Sequence, residues 1–307
     1  MLKKLINPAF LGWSLGTALD YEMCHHMYGG SFITHPDVLA FIHARFDCSP
    51  SVHIKRDSNG ALLGAFCAWK KAHLAGDIAI TQKLGIERYP FNKDEIILPF
   101  NQKLRGILPF RTKLISSLNR ANIFNSTFKL NSDRAVCIAK GCGNNGFSSK
   151  TKNSRNRELN KFLAAGGEIV EQSIFSPDEL TTIYFDLFES RWGHRPDNYL
   201  ETVDMLTSLR SFFFGHVLFL AGKPCAFQFI TKADSPTWIN FDYVNGGYDK
   251  THHSFCPGTI VTWVNIKSAY ELCNSTGKTM RYSFGRPTAA YKDRWCRKEP
   301  LGRILSL

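Results

Sequence analysis

Charge is scarce in this 307-residue sequence, and what charge there is leans to one sign. Only 21% of residues are charged against 44% hydrophobic, which excludes a mainly disordered chain held open by self-repulsion. Long apolar runs are also missing. The most apolar late stretch, Ser211 to Ile230, is interrupted by His216, Lys223 and Pro224, so it cannot cross a bilayer as one helix, and membrane contact would be peripheral. There is no GxxxxGK[ST], no HExxH and no GxSxG, which removes the commonest signatures of nucleotide, metalloprotease and serine-hydrolase chemistry. No repeat at solenoid periods and no helix-turn-helix pattern are found. Nine cysteines are present but none has CxxC spacing, and Cys137 and Cys142 lack a second pair to complete a tetrahedral site. No metal is therefore expected. An odd cysteine count, mostly inside apolar runs such as Gly64 to Trp69, reads as reduced, buried thiols in a cytoplasmic protein.

What is present is enough chain for two units of roughly 150 residues. The character changes near residue 141, dividing the chain into 1–145 and 146–307. From Val52 to Trp69 two strands meet at Asp57-Ser58-Asn59-Gly60, a tight-turn sequence. Ile96–Phe100 and Ala135–Ala139 have strand composition, whereas Asp37–Phe46 and Thr112–Ala121 read as helices. Residues 141 to 156 are polar and rich in glycine and serine, a loop or linker. A helix over Arg155–Ala165 stops at Gly166-Gly167, and a strand follows over Glu168–Ser173. Ser176-Pro177-Asp178-Glu179 opens a helix to about Trp192, with a capping serine, proline at the first position and carboxylates in the first turn. Strands follow at His216–Ala221, Cys225–Lys232 and Thr237–Val244, then a helix from the 255–259 turn to about Cys273, and a last strand at Met280–Phe284. Strands, helices and hairpins mixed in this way predict an α/β (α+β) protein with a mixed, largely antiparallel sheet in each half.

Three local features invite functional readings. Gly141-Cys142-Gly143-Asn144-Asn145-Gly146 matches GxGxxG, with Glu168 or Glu171 as a ribose acid, but about eight polar residues separate Gly146 from the expected helix. On that spacing no helix N-terminus meets a pyrophosphate, and a plain loop is the expectation. The pairs His25-His26 and His252-His253 point in different directions and are expected to be exposed loop residues. At the N-terminus, two lysines precede Leu2, Leu5, Ile6, Phe10, Leu11, Trp13 and Leu15, a spacing that fits a core helix or one lying in a membrane interface.

The C-terminal half is more specific. A strand ending Phe241-Asp242-Tyr243-Val244 leads to Pro257-Gly258-Thr259 at a helix start, then through Tyr282-Ser283-Phe284-Gly285 to Tyr291-Lys292-Asp293-Arg294-Trp295. A turn that presents backbone N–H groups at a helix N-terminus can cradle a phosphate. Together with Ser149-Lys150 to Arg157 and Lys161, Phe188-x-x-Arg191-Trp192 and the 221–226 hairpin, this order resembles the GNAT-like acyltransferases of the BioF/CelD and FemABX kind. It covers about residues 145 to 296. More weakly, Gly30-Ser31-Phe32-x-x-His35-Pro36 resembles the opening of a first module. From Leu11 onward the whole chain is similar to the macrophage-inducible Mig family of bacterial virulence proteins. Those are associated with resistance to cationic antimicrobial peptides and with the inner membrane, and have also been regarded as transcription regulators.

The resemblance implies two tandem GNAT-like modules and an N-acyltransferase acting on an amine of the cell envelope, with acyl-CoA (acetyl-CoA) or aminoacyl-tRNA as donor. It implies that Tyr243 and Val244 hold the acyl arm and that Phe255, Cys256, Pro257, Gly258 and Thr259 hold the pyrophosphate. Lys292 would stabilise the tetrahedral intermediate beside Tyr291, with Asp242 as base. Arg155, Arg157, Lys161, Arg191 and Trp192 would grip phosphate or substrate. Between Ile96 and Arg157 lie twelve lysines and arginines against the single acid Asp133, eleven of the twelve surplus positive charges. Such a band calls for an anionic or phosphorylated partner. A non-enzymatic binding or regulatory protein that uses the band on nucleic acid or anionic lipid is the alternative.

Overall fold

The computed structural model describes residues 7–129 and 134–305. The chain adopts the mixed α/β class expected, with two main sheets. The first opens with an edge strand β1 (Ser14–Gly16) and helix α1 (Ala18–Tyr28), which begins in a capping box: Thr17 Oγ1 accepts from the Asp20 amide, and the Asp20 carboxylate accepts from the Thr17 amide. Helix α2 (Pro36–Arg45) follows, then strands β2 (Ser51–Arg56) and β3 (Leu62–Trp69), with β4 (His73–Leu74) and a short α3 (Ile78–Lys83). The sheet order is β1-β2-β3-β4, all antiparallel. The β2–β3 turn forms as its sequence predicts, with Asp57 Oδ1 accepting from the Asn59 and Ala61 amides and Gly60 at φ 83°.

Residues 90–129 depart from expectation. Ile96–Phe100 makes only isolated bridges, and Thr112–Ala121 is irregular apart from one 3₁₀ turn at Ser117–Asn119. Asparagine side chains replace the ladder here. Asn119 bonds both the N–H and the C=O of Leu98, Asn125 does the same for Leu108, and Asn122 donates to the carbonyls of Asn101 and Leu104. Backbone groups that would be orphaned in the core are thereby satisfied without regular structure. A small pairing of β5 (Ser126–Thr127) with the end of the chain closes this region.

The second sheet has eight strands. Along it lie β13 (Cys296–Pro300), β6 (Ala135–Ala139), β12 (Thr279–Ser283), β11 (Trp238–Tyr248), β10 (Lys223–Asp234), β9 (His216–Leu220) and β7 (Gly167–Glu171), with β8 (Phe213–Phe214) also on β10. The last strand, β14 (Arg303–Ile304), pairs with β5. All pairs in the large sheet are antiparallel except β11 with β12, which are joined by the crossover helix α7 (Pro257–Ser275). Helices α4 (Ser149–Ala164) and α7 cover one face, where Phe162, Ile260, Val261 and Val264 pack on Leu218 and Ala226. Helices α5 (Pro177–Trp192) and α6 (Tyr199–Ser208) cover the other, and there a single core also takes in α1, α2 and β3 of the first half. Polar ties cross the same joint: Arg45 to Asp204 at 2.6 Å and the Tyr89 hydroxyl to Asp204 at 2.8 Å. A four-residue helix α8 (Lys292–Trp295) precedes β13.

Several expectations are corrected. Ala135–Ala139 is a strand, but it belongs to the second sheet, so the change of composition near 141 is not a break between sheets. Helix α4 starts at Ser149, inside the stretch read as a loop; Ser148 Oγ accepts from the Thr151 amide and caps a helix whose polarity hid it. Gly146 is therefore close to a helix start, contrary to the spacing inferred from sequence. The glycines are nonetheless explained by packing, since a Cβ on Gly146 would lie 1.6 Å from the Gly141 carbonyl oxygen and one on Gly143 2.8 Å from the Tyr270 hydroxyl oxygen. His25 is buried inside α1 rather than exposed in a loop, and burial lowers its pKa to about 3. The described part of the N-terminal stretch is a 3₁₀ turn at Pro8–Leu11 followed by β1, with Trp13 buried and Phe10 and Leu15 exposed; Leu2, Leu5 and Ile6 lie outside the described residues, as does Asp133.

Candidate active site between diverging strands

Strands β11 and β12 pair in parallel only from Trp238–Asp242 against Thr279–Ser283. Past that point the chain leaving β12 turns onto β6, with Phe284 N donating to Cys137 O at 2.8 Å and Cys137 N donating to Gly285 O at 2.8 Å. β11 runs on to Tyr248, held from here by β10 alone, and carries a bulge: Phe229 faces Asn245 while Ile230 faces Tyr243, so Val244 has no partner across. Bulges re-aim side chains and often border sites. The splay and the bulge leave a cavity of about 690 Å³.

Its walls come from separate elements. Tyr243, Gly246, Gly247 and Tyr248 belong to β11; Cys256, Pro257, Gly258 and Thr259 form the start of α7; Thr151 and Arg155 come from α4, Arg191 from the end of α5, and Tyr291, Arg294 and Trp295 from the last turn before β13. Three arginines and the positive end of a 19-residue helix face the cavity, and no carboxylate does among its lining residues. Gly258 matters because a Cβ there would lie 3.0 Å from the Tyr248 ring. Cys256 caps α7 in a left-handed conformation, φ 51°.

At the inner end, Arg191 Nη1 donates to Gly246 O at 2.9 Å, and its guanidinium lies over the rings of Trp192 and Tyr248 and beside the hydroxyls of Tyr243 and Tyr291. Burial works against the Arg191 charge, but the tyrosines outweigh it and its pKa is raised. Burial likewise raises the pKa of Tyr291, which stays a protonated O–H donor. A guanidinium and a phenol at one end of a cavity can hold developing negative charge on an oxygen.

Of the residues singled out from sequence, Tyr243, Cys256, Pro257, Gly258, Thr259, Tyr291, Arg155 and Arg191 are brought together here. Others are not. Lys292 is buried beside the cavity, its Nζ donating to the carbonyls of Phe284 and Arg286, both at 2.6 Å, so it staples the turn after β12 instead of facing a ligand. Asp242 is buried on the side toward the first half, accepting from Asn92 Nδ2 at 2.5 Å and Asn240 Nδ2 at 2.8 Å; burial, with Glu95 adding to it, raises its pKa to about 7 against the pull of Asn92. Val244 packs toward the core with α5, and Phe255 packs on Phe162 with Lys161 over its ring. Arg157 and Trp192 do not line the cavity either. Arg294, Trp295, Thr151 and His253 were missed; Arg294-Trp295 adjoins Tyr291-Lys292 in sequence, the one signal that could have found them. Among the described residues no group of three or more His, Cys, Asp or Glu gathers to hold a metal.

The large sheet, its single parallel pair and the cavity beside it define a mixed α/β protein with an arginine-lined cleft. The chain belongs to the Mig-14 family, whose model matches residues 35–304. None of the curated proteins matches its sequence. Solved structures similar to it include L-PGS from Bacillus licheniformis, at 12% identity and TM-score 0.46, covering 95% of this chain and 93% of that one. A tandem GNAT protein from the clavulanic acid biosynthesis pathway is similar at 9% identity and TM-score 0.42, covering 95% and 97%. A conserved protein of unknown function from Bacteroides thetaiotaomicron is similar at 11% identity and TM-score 0.46, covering 96% and 100%.

Proposed function

We propose that the protein is an N-acyltransferase built from two GNAT-like modules, with acyl-CoA or aminoacyl-tRNA as donor and an amine of the cell envelope as acceptor, lowering sensitivity to cationic antimicrobial peptides. The observation that carries this reading is the cavity opened where β11 leaves β12, with the start of α7 at its mouth and Arg191 and Tyr291 at its inner end. The donor fits the lining: a phosphate meets the α7 N-terminus with Arg155 and Arg294, and an extended acyl arm follows the unpaired side of β11 past Tyr243 and Gly246. The amine attacks the donor carbonyl, the C–N bond forms, the bond to the leaving thiol or ribose hydroxyl breaks, and the amine proton leaves with that group. Arg191 and Tyr291 offer N–H and O–H donors to the carbonyl oxygen as charge builds on it. Lys292 acts indirectly, by fixing the turn that carries Tyr291.

Equilibrium binding to acetyl-CoA, longer acyl-CoA thioesters and charged tRNA tests the reading. At least one should bind, and free coenzyme A or deacylated tRNA should compete. Silence across the panel would sink it.

The basic band favours a second reading, a polyanion-binding protein attached at most peripherally to the inner membrane. No helix among the described residues is long and apolar enough to cross a membrane. Such a binder should lose affinity for nucleic acid steeply between low and physiological salt, whereas a flat response speaks against it.

A further inference from the structure

The basic band does not all converge on the cleft. Arg155 lines it, but Arg111, Lys113 and Arg134 line a different cavity, of about 620 Å³, in the first half of the chain. Arg303 of β14 joins them there, so four cations from three separate segments surround one concavity. Among the described residues Asp77 is the one carboxylate in that lining, and it is engaged as the cap of α3, its Oδ1 accepting from the Ala79 amide at 3.0 Å. Arg111 and Lys113 have other partners within the protein, so the unmet demand falls on Arg134, whose Nε is buried without a hydrogen-bond acceptor among the described residues. A buried guanidinium N–H without an acceptor is a costly group to leave bare.

Beneath the cations the lining is aliphatic. Leu114 and Ile304 are buried at the floor, Ile78 is half-buried, and Leu305 is 40% exposed at the edge. Three exposed cations and the half-buried Arg134 over a buried apolar floor form an amphiphilic site, and its volume is several times what an inorganic phosphate needs.

We infer that this cavity is a second ligand site, distinct from the cleft at α7, and that it takes an anionic phosphate-bearing amphiphile. The phosphate would sit between Arg134 and Arg303, and the apolar portion would lie along Ile78, Ile304 and Leu305. The proposal stands whether or not the cleft transfers acyl groups.

The test uses the full chain and calorimetric titration with dihexanoyl phosphatidylglycerol below its micelle-forming concentration, alongside inorganic phosphate and dihexanoyl phosphatidylcholine. The phosphatidylglycerol should bind, with both other probes at least tenfold weaker. Arg303→Gln, at an exposed position, and Arg134→Gln, which keeps much of the side-chain volume, should each weaken binding at least tenfold with the urea midpoint preserved. Equal binding of inorganic phosphate would mean a free-anion site and overturn the amphiphile; equal binding of phosphatidylcholine, which carries the phosphate but no net charge, would overturn the preference for an anionic one. No binding, or full affinity in folded Arg303→Gln and Arg134→Gln, would overturn the site itself.

Discussion

Replacing Asp242 with asparagine should stabilise the protein, and by an amount that depends on pH. Burial raises the Asp242 pKa from its ordinary 3.8 to about 7, with Asn92 and Arg281 opposing and Glu95 adding to the rise. Between those two values the folded chain keeps a proton that the unfolded chain has released, so stability falls as pH rises through the window and is flat above it. At about 1.4 kcal/mol per tenfold, the ceiling of the effect is about 4 kcal/mol. The amide in Asp242→Asn never ionises. Its N–H would meet the Asn240 side chain, whose Oδ1 is buried without a partner among the described residues; turning that amide over converts a donor–donor conflict into a hydrogen bond and satisfies the orphan. Urea unfolding at pH 5, 6, 7 and 8 measures the difference. The advantage of Asp242→Asn over wild type should be smallest at the acid end of the series and larger by at least about 1 kcal/mol at pH 8 than at pH 5. The buried His25, with its pKa lowered to about 3, pulls the other way, costing stability as pH falls below its ordinary 6.5, but it does so in both proteins and cancels. A difference that stays flat from pH 5 to 8, or that reverses sign, would mean that Asp242 is not held protonated by burial.

Other expectations concern the cleft's walls. A Cβ on Gly247 would lie 2.2 Å from the Leu187 carbonyl carbon and 2.4 Å from the Phe188 nitrogen, backbone atoms of α5 that have no rotamer to move. Gly247→Ala should therefore cost about 1–3 kcal/mol by urea unfolding, and a midpoint equal to wild type would contradict the packing of α5 on β11. Seven of the nine free cysteines are buried and Cys142 is half-buried, leaving Cys256 exposed at the cavity mouth. One thiol per chain should react quickly with a disulfide reagent, the fast phase should vanish in Cys256→Ser, and a bound donor should slow it. Several fast thiols, or a fast phase untouched by that substitution, would count against this placement.

Local signals made much of the fold legible. The Asn-Gly turn, the Ser176 capping box with its proline, and the strand composition around β9, β10 and β11 are decided within a few residues, and they form where expected. Residues 90–129 were not legible, because their order depends on Asn119, Asn122 and Asn125 reaching backbone groups 17 to 21 residues away. The start of α4 was hidden for the opposite reason: a polar helix with one buried residue, Phe162, has almost no apolar period to read. At the cleft, the run from Cys256 to Thr259 could be found because a helix start announces itself. The part played by Lys292 could not, since whether an ammonium faces a cavity or staples a turn is decided by carbonyls eight and six residues before it.

If the protein is an acyltransferase, the cavity at the start of α7 receives the donor. Calorimetric titration of acetyl-CoA, longer acyl-CoA thioesters and charged tRNA into wild type and Gly258→Trp tests it most directly, since an indole at that position passes Tyr248 and fills the space. At least one donor should bind wild type saturably and lose tenfold or more in affinity for a Gly258→Trp protein whose circular dichroism is unchanged. Undiminished binding in the folded Gly258→Trp protein, or no donor binding by wild type, would contradict it.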